Sequence, residues 1–323
     1  MACGLVLPGC GHGADGLLWR VWVQSAIQNL ACAAPPRGPA LPMTNSTAST
    51  ASTASTAPTT PAKTFEIDLS LAYQVNGPTD FLFQIHALGG MDQHLLSETL
   101  DVQPPMPLRV YADPCLNHRF LRLHAEAGAL ALRYTATVSR SAPLPDPATP
   151  EVAVADLPDA LLHNLMPTRY CESDHLGHVA LKMFGQHPPG LQRVQAIVDW
   201  IHDNVDYQVG STQSTTTACE VFLHRAGVCR DFAHLGVTFC RALNIPARLV
   251  AGYANFTEPP PDFHAVFEAY LGHRWVMFDA TRMAPLDELV RIASGRDAKD
   301  LAFATIFGPA TMLSMSPLLK RIA

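Results

Sequence analysis

The sequence predicts an α+β protein in which a small antiparallel β domain precedes a domain of helices followed by antiparallel strands. Apolar and polar residues alternate along several segments before Pro150, helical spacing of apolar residues follows, and alternation returns after Pro246. These changes of period divide the chain into a low-complexity tail over residues 1–62, a β-rich domain over residues 63–145 and an α+β domain over residues 155–323.

The composition excludes several classes of protein. With 323 residues, of which 48% are hydrophobic and 15% are charged, the chain has enough apolar surface for one large or two modest cores, so it is not disordered throughout. The net charge of −6 argues against a nucleic acid or an anionic membrane as the main partner. No apolar run approaches the roughly 20 residues that span a bilayer, so we expect a soluble protein.

The eight cysteines include no CxxC pair and are too sparse for a disulfide framework, which favours a reducing compartment. An apolar patch near the N-terminus resembles a secretory signal only weakly, because Arg20 interrupts it and no basic segment precedes it. We therefore expect a cytoplasmic protein.

The first part of the chain is predicted to be a disordered, flexible tail. Residues 38–62 contain no charged residue, and the triplet Ala-Ser-Thr occurs three times between Ala48 and Thr56. Such a segment cannot bury enough apolar surface to offset the entropy of ordering it. Translation could begin at Met43 rather than Met1, and we expect no catalytic residue in this part of the chain.

Order is predicted to begin at Thr64 with a half-buried strand. Its alternate positions are occupied by Phe65, Ile67, Leu69, Leu71, Tyr73 and Val75. The same alternation recurs in residues 81–85, 121–125 and 132–138. A small antiparallel sandwich or barrel therefore fits residues 64–140. Four prolines in residues 141–150 then form a stiff connector, where we place the domain boundary.

The second domain begins with three predicted helices. The first has apolar residues at helical spacing, namely Val194, Ile197, Val198, Ile201 and Val205. The second is expected near residues 218–225, and the third runs from about Cys229 to Leu243, because Pro246 prevents its continuation. Strands are predicted over residues 247–254, 264–270 and 274–279, and short helices are predicted from Pro285 onward.

Cys229 lies on the opening turn of the third predicted helix, directly after the sequence Ala-Gly-Val. Free backbone N–H groups at a helix N-terminus favour an anion, and therefore favour the nucleophilic thiolate over the thiol. Arg230 and a nearby imidazolium would act in the same direction, while the backbone N–H of Cys229 could face a developing oxyanion. Cys229 is therefore a candidate nucleophile, although a buried cysteine is more commonly an inert core residue.

A predicted hairpin places a histidine and a carboxylate on one face. The dipeptide Gly-His at residues 272–273 suits a two-residue loop, which sets Asp279 opposite Val266, two residues along the strand from His264. His264 and Asp279 then share a face at roughly 7–8 Å between backbones, within side-chain reach. The carboxylate can hold the imidazole as a nucleophile–base–acid triad requires. A loop with an odd number of residues would turn Asp279 to the other face.

Three segments resemble the core of the transglutaminase-like superfamily. They are Ala-Gly-Val-Cys-Arg-Asp-Phe-Ala-His at residues 226–234, Asp-Phe-His-Ala-Val-Phe-Glu-Ala-Tyr at 262–270 and Arg-Trp-Val-Met-Phe-Asp-Ala-Thr at 274–281. Their order and spacing are specific. The chain is most similar to a bacterial branch of transglutaminase-like cysteine proteases that carries a β-rich N-terminal domain, and the resemblance covers about residues 64–323.

The resemblance implies a papain-like fold and a Cys-His-Asp triad, in which Cys229 is the nucleophile, His264 the base and Asp279 its orienting acid. It implies acyl transfer on a peptide or carboxamide substrate through a thioester, with no cofactor and no metal. Members of the superfamily often use a side chain upstream of the cysteine as a second oxyanion donor, for which Tyr207 is the candidate. A tyrosine at the end of an amphipathic helix is more commonly a half-buried anchor.

The acceptor of the acyl group separates two enzymes, because water defines a peptidase or amidase and an amine defines a transglutaminase. We predict hydrolysis, since no acceptor-amine site is visible in the sequence. Two other classes remain open: an inactive module that binds peptides between its domains, and a metal protein that uses Cys171, His175 and His178. The expected partner is a protein or peptide substrate, and the sequence leaves the oligomeric state open.

Overall fold

A computed structural model of the chain describes residues 59–90, 92–113, 118–256 and 262–323. The tail predicted over residues 1–62 and the alternative start at Met43 therefore lie outside the described residues, except for residues 59–62. The described residues have an α+β architecture, in which a β-rich N-terminal region is followed by helices and an antiparallel sheet. This architecture confirms the predicted fold class.

Within the described residues, the N-terminal region forms six strands. They are β1 (Lys63–Val75), β2 (Thr79–Phe83), β3 (Gln93–Gln103), β4 (Leu108–Ala112), β5 (Arg119–Ala125) and β6 (Gly128–Arg140). The strands β1, β2, β5 and β6 follow the predicted alternation, because one face of each is buried. In β1, for example, every second side chain from Phe65 to Val75 is buried. The sequence pattern does not indicate β3 or β4, since most of their side chains are exposed.

Four α-helices follow in the described part of the chain. They are α1 (Gly177–Phe184), α2 (Leu191–Asn204), α3 (Ala218–His224) and α4 (Cys229–Ala242). The helices α2, α3 and α4 confirm the three predicted helices, and α4 begins at Cys229 as predicted. None of the helices in the described ranges is long and apolar enough to cross a membrane.

Eight further strands complete the described structure. They are β7 (Asp206–Tyr207), β8 (Ala226–Gly227), β9 (Ala247–Tyr253), β10 (Phe263–Leu271), β11 (Arg274–Phe278), β12 (Val290–Gly295), β13 (Ala304–Phe307) and β14 (Ala310–Arg321). An antiparallel sheet has the order β11-β10-β9-β12, and Leu271 pairs with Arg274 as the predicted hairpin requires. The helix α4 packs on this sheet so closely that a Cβ at Gly236 would lie 2.5 Å from the ring of Phe267.

The prediction of short helices from Pro285 onward is wrong for most of that segment. Two 3-10 turns are present, Leu286–Glu288 and Ala298–Asp300, but β12, β13 and β14 occupy much of the rest. The pattern of β14 gives no clear strand signal, because it combines exposed apolar and polar positions with Pro317. Pairing with the edge of β1 stabilises this strand, and the local sequence does not encode that long-range contact.

The last two strands of the chain return to the N-terminal region. The strand β14 pairs with β1 in a sheet of order β14-β1-β6-β3, and β13 pairs with β2 in a sheet of order β13-β2-β5-β4. The ring of Tyr73 in the first sheet lies 5.4 Å from that of Phe81 and 5.8 Å from that of Phe83 in the second, so the sheets pack as a sandwich. Residues 304–321 belong to the segment predicted as the second domain, yet they contribute one strand to each of these sheets.

Buried ion pairs join this sandwich to the sheet that contains β10. Asp92 accepts a hydrogen bond from Arg140 at 3.0 Å and also pairs with Arg291 of β12. Arg291 in turn donates to Glu268 of β10 at 2.6 Å. Arg140, Arg291 and Glu268 are all buried, so removing one member would leave a charge without its partner in the interior. These contacts hold the sandwich against the strand that carries His264.

Candidate active site

The start of α4 is held in place by the side chain of Asp231, which is fully buried. Its Oδ2 accepts a hydrogen bond from the backbone N–H of Val228 at 3.0 Å, which caps the helix, and another from the Thr212 hydroxyl at 2.6 Å. Its Oδ1 accepts two hydrogen bonds from the guanidinium of Arg230, at 2.9 and 2.7 Å. These contacts fix Cys229 at the first position of the helix.

A short parallel ladder places Tyr207 beside the cysteine. The strand β7 pairs with β8 so that Tyr207 lies opposite Gly227, two residues before Cys229. A side chain at Gly227 would crowd this turn, because its Cβ would lie 2.8 Å from that of Asp231. The phenol of Tyr207 lies close enough to Cys229 for that residue to influence its pKa. Burial, and then the neighbouring Cys229 and Asp262, raise the pKa of Tyr207, so the phenol keeps its proton and can donate it in a hydrogen bond.

His264 and Asp279 face each other as the hairpin register predicts. Nε2 of His264 lies 2.8 Å from Oδ2 of Asp279. The register of β10 and β11 runs from the pair Leu271–Arg274 to the pair Phe267–Phe278, and Asp279 is the next residue. Both members of the His264–Asp279 pair are buried, so water screens their interaction little.

Nε2 of His264 faces Asp279, so Nδ1 is the ring nitrogen that can interact with Cys229. Nδ1 is buried and makes no hydrogen bond among the residues that the structure describes. Cys229 lies close enough to the imidazole to influence the pKa of His264. Burial by itself would lower the pKa of His264, but the hydrogen bonds and charges of Asp279 and Cys229 outweigh burial and raise the pKa to about 10. The structure thus brings Cys229, His264 and Asp279 close together.

Thr281 holds Asp279 from the other side, a role that the sequence reasoning missed. Its backbone N–H and its hydroxyl both donate to Oδ1 of Asp279, at 2.8 and 2.7 Å. Burial would raise the pKa of Asp279, but His264 and Thr281 together lower it, so the carboxylate stays ionised. The sequence signal for this contact is an aspartate followed two residues later by threonine, a spacing at which the carboxylate accepts hydrogen bonds from its own turn.

Replacing Thr281 by valine removes the hydroxyl donor but keeps the backbone N–H and the shape of the side chain. Asp279 then loses one hydrogen bond to its charged form, so we expect kcat/KM to fall about tenfold. Initial rates measure this loss. Thr135→Val is a suitable control, because the Thr135 hydroxyl pairs with that of Thr99 at 2.6 Å on an exposed face and the rate should not change. Equal rates for Thr281→Val and the unmodified protein would show that the hydroxyl does not support Asp279.

A cavity of about 40 Å³ lies beside His264 and is lined mainly by apolar atoms. Phe263 and Arg230 line it from β10 and α4, while Gln84, which follows β2, and Phe303, which precedes β13, line it from the side of the sandwich. The N-terminal region therefore contributes to the surface next to the imidazole.

Cys171, His175 and His234 do not join this cluster. Cys171 is buried, whereas the side chain of His175 is 71% exposed. In the described ranges, no three His, Cys, Asp or Glu side chains are arranged to hold a metal ion, so the alternative site at Cys171, His175 and His178 is not assembled there. His234 accepts a hydrogen bond from the N–H of Ala298 at 3.1 Å, and burial lowers its pKa well below 6.5, so it is a neutral core residue.

Two family models match this chain. Residues 178–280 match the model of the transglutaminase-like superfamily, and residues 63–160 match the model of the N-terminal domain of bacterial transglutaminase. The first range contains α1 to α4 and the cluster of Cys229, His264 and Asp279. The second contains the six N-terminal strands.

Comparison with solved structures finds a protein from Cytophaga hutchinsonii, described as a candidate cysteine protease, that is 46% identical to this chain. The match covers 82% of this chain and 92% of that protein, with a TM-score of 0.79. An uncharacterised protein of Mycobacterium leprae is 28% identical over 149 residues, which is 43% of this chain and 52% of that protein. An uncharacterised protein of Mycobacterium tuberculosis is 32% identical over 103 residues, which is 32% of each chain. This chain therefore spans about half or less of the length of these curated relatives.

Proposed function

Because this chain belongs to the transglutaminase-like superfamily, we propose that it hydrolyses peptide or carboxamide bonds through a covalent thioester on Cys229. The observation that carries this proposal is the hydrogen-bonded pair of His264 and Asp279 beside Cys229. A sulfur nucleophile needs a base within hydrogen-bond reach, and the base needs a third group that orients it. Each of the three residues meets one of these requirements.

In the first step, the thiolate of Cys229 attacks the carbonyl carbon of the substrate. The imidazolium of His264 donates its Nδ1 proton to the amide nitrogen, the C–N bond breaks and the amine leaves. In the second step, His264 takes a proton from water, the resulting hydroxide attacks the thioester, and the acid and the thiolate are released. Asp279 remains ionised throughout and stabilises the imidazolium without taking its proton.

The oxyanion that forms during each step would lie between the backbone N–H of Cys229 and the phenol of Tyr207. Two hydrogen-bond donors aimed at developing negative charge lower the barrier to acyl transfer, because they are already oriented before the reaction begins. The ring of Tyr207 also contacts that of Phe232, at 5.9 Å between centroids, which holds its hydroxyl near the helix start. This packing is compatible with both the anchoring role and the oxyanion role.

We favour hydrolysis over transfer to an amine, because the relative that matches most of this chain is described as a candidate cysteine protease. Transfer to an amine is the second candidate, since the same thioester would serve both acceptors. A module that only binds peptides would not need a buried imidazole between a thiol and a carboxylate, so the contacts of His264 disfavour an inactive protein.

We further propose that the enzyme works without a cofactor on a protein or peptide, in a reducing compartment such as the cytoplasm. Four cysteines of the described ranges are free thiols, which fits that compartment: Cys171, Cys219, Cys229 and Cys240. The net charge of −6 favours a substrate other than a nucleic acid.

A mixed peptide library tests the reaction directly. The unmodified protein and Cys229→Ala are incubated with the library, with and without an added primary amine, and the products are weighed by mass spectrometry. Hydrolysis predicts fragments with free carboxylates that depend on Cys229 and form without the amine. Amine adducts as the main products would favour the transglutaminase instead. Identical products from the two proteins, or none from either, would contradict the proposal.

A further inference from the structure

A second carboxyl group, that of Asp262, lies beside the Cys229–His264 pair and has no role in the proposed hydrolysis. Asp262 directly precedes β10 and is two residues before His264, so the two side chains project from the same side of the strand. Its charge contributes to the raised pKa of Tyr207, which places it close to that phenol as well. Asp262 therefore lies near both His264 and Tyr207.

The carboxyl of Asp262 is buried, and the charge of His264 acts on it. The residue is 9% exposed, and its Oδ1 accepts a hydrogen bond from the backbone N–H of Phe263 at 2.7 Å. Burial raises its pKa to about 8, although the hydrogen bond from Phe263 and the charge of His264 act in the opposite direction. Burying a carboxyl group costs stability, and buried acids with a perturbed pKa are concentrated at functional sites.

The two carboxyl groups near His264 have opposite environments. Asp279 accepts hydrogen bonds from His264 and from two donors of Thr281, so it stays ionised. Asp262 accepts one hydrogen bond, from the backbone N–H of Phe263, and burial raises its pKa to about 8. Neighbouring acids whose environments separate them in this way commonly serve different parts of one reaction. Asp279 serves the imidazole, and Asp262 is available to a substrate.

We infer that Asp262 forms the subsite for the amine half of the substrate, where it holds the ammonium released by cleavage and, in reverse, a primary amine that attacks the thioester. The inference rests on the proposed function, because it requires the thioester on Cys229. During cleavage, His264 gives one proton to the nitrogen as the C–N bond breaks, and Asp262 gives the second. The product is an alkylammonium ion paired with the Asp262 carboxylate.

In the reverse direction, the bound alkylammonium returns that proton to Asp262 and becomes a neutral amine. The amine nitrogen attacks the thioester carbon, its surplus proton passes to His264, and the C–S bond breaks to give an amide and the thiolate. Asp262 would therefore favour acceptors that arrive as cations. An acceptor that is already uncharged would gain nothing from this carboxylate.

The test compares two acceptors that draw on the same acyl-enzyme. The unmodified protein and Asp262→Asn are acylated with p-nitrophenyl acetate in the presence of n-butylamine, which is a cation near neutral pH, and hydroxylamine, which is not. Mass spectrometry quantifies the ratio of N-butylacetamide to acetohydroxamic acid. Because both products form from the same acyl-enzyme, a change in the acylation rate does not alter this ratio. We expect this ratio to fall about tenfold or more in Asp262→Asn, because only butylammonium loses a charged contact.

Asp206→Asn is the matched control, since Asp206 is an exposed carboxylate of β7 next to Tyr207, and its ratio should equal that of the unmodified protein. Asparagine keeps the oxygen that accepts from Phe263, and Asp262→Ala provides a second variant with the same expected fall. An unchanged ratio in both Asp262 variants would overturn the amine subsite while leaving the thioester enzyme intact. If the unmodified protein releases p-nitrophenol no faster than Cys229→Ala, both the proposed function and the subsite are overturned.

Discussion

Cys229→Ala is expected to reduce turnover of any substrate to the background rate, a loss of at least about 10⁴-fold. Without the sulfur atom no thioester forms, and the remaining oxyanion donors cannot replace a nucleophile. The substitution removes one atom at the start of α4 and leaves the contacts of Asp231 in place, so we expect the fold to be retained. Initial rates and circular dichroism measure the two effects separately.

Cys219 provides the control for this prediction, because it is a partly buried thiol on the neighbouring helix α3. Cys219→Ala should keep the activity of the unmodified protein. Burial, followed by the neighbouring Glu172, raises the pKa of Cys219 to about 12, so iodoacetamide at about pH 6.5 should leave it unlabelled. Cys229, next to the His264 imidazolium, should react. Comparable labelling of the two thiols, or activity retained in Cys229→Ala, would contradict the assignment of the nucleophile.

Asp279→Asn is expected to lower kcat by about three to four orders of magnitude without unfolding the protein. Because Thr281 donates two hydrogen bonds to Oδ1 of Asp279, an asparagine at this position must turn its oxygen towards Thr281 and its NH₂ group towards His264. Nε2 of the neutral imidazole then has to accept a hydrogen bond, which leaves the ring proton on Nδ1. That nitrogen is the one that must take a proton from Cys229, so the ring is held in the wrong tautomer.

The same variant is expected to change the pH dependence of the rate. Activity needs the imidazolium beside the thiolate, so it is present below the pKa of His264 and is lost as the pH rises through that value. Burial by itself would lower the pKa of His264, but Asp279 and Cys229 raise it to about 10. We therefore expect activity to be lost as the pH rises through about 10. Removing the carboxylate lowers the pKa, so the alkaline limit of Asp279→Asn should move to lower pH.

Rates measured across the pH range test both effects, with Asp199→Asn as the control. Asp199 is an exposed carboxylate paired with Arg282 on the surface, so its variant should keep the rate and the alkaline limit of the unmodified protein. If Asp279→Asn keeps them as well, Asp279 does not act on the imidazole.

Much of the site could be predicted because its parts are local in sequence. The helix start at Cys229 follows from the glycine before it and the apolar spacing after it, and both are patterns within about fifteen residues. The pairing of Leu271 with Arg274 follows from the two-residue loop between them, and the period of two then fixes which face Asp279 occupies. These predictions depend on backbone geometry alone.

Other features could not be predicted because they depend on contacts between distant segments. The strand β14 forms where its sequence gives little strand signal, because it pairs with β1 at the other end of the chain. Asp231 is fully buried and accepts hydrogen bonds from Val228, Thr212 and Arg230. Its burial follows from the packing of α4, which local pattern does not show.

The sequence by itself determined the order of helices and strands around the site, the position of Cys229 at a helix start and the shared face of His264 and Asp279, because each depends on the short-range periodicity of the backbone. The tertiary structure decided that Cys229 lies near His264 and Tyr207, and that the carboxyl of Asp262 is buried near the imidazole. Those facts depend on how α4, β7 and β10 pack together, and the free energy of that packing comes from burial contributed by the whole chain.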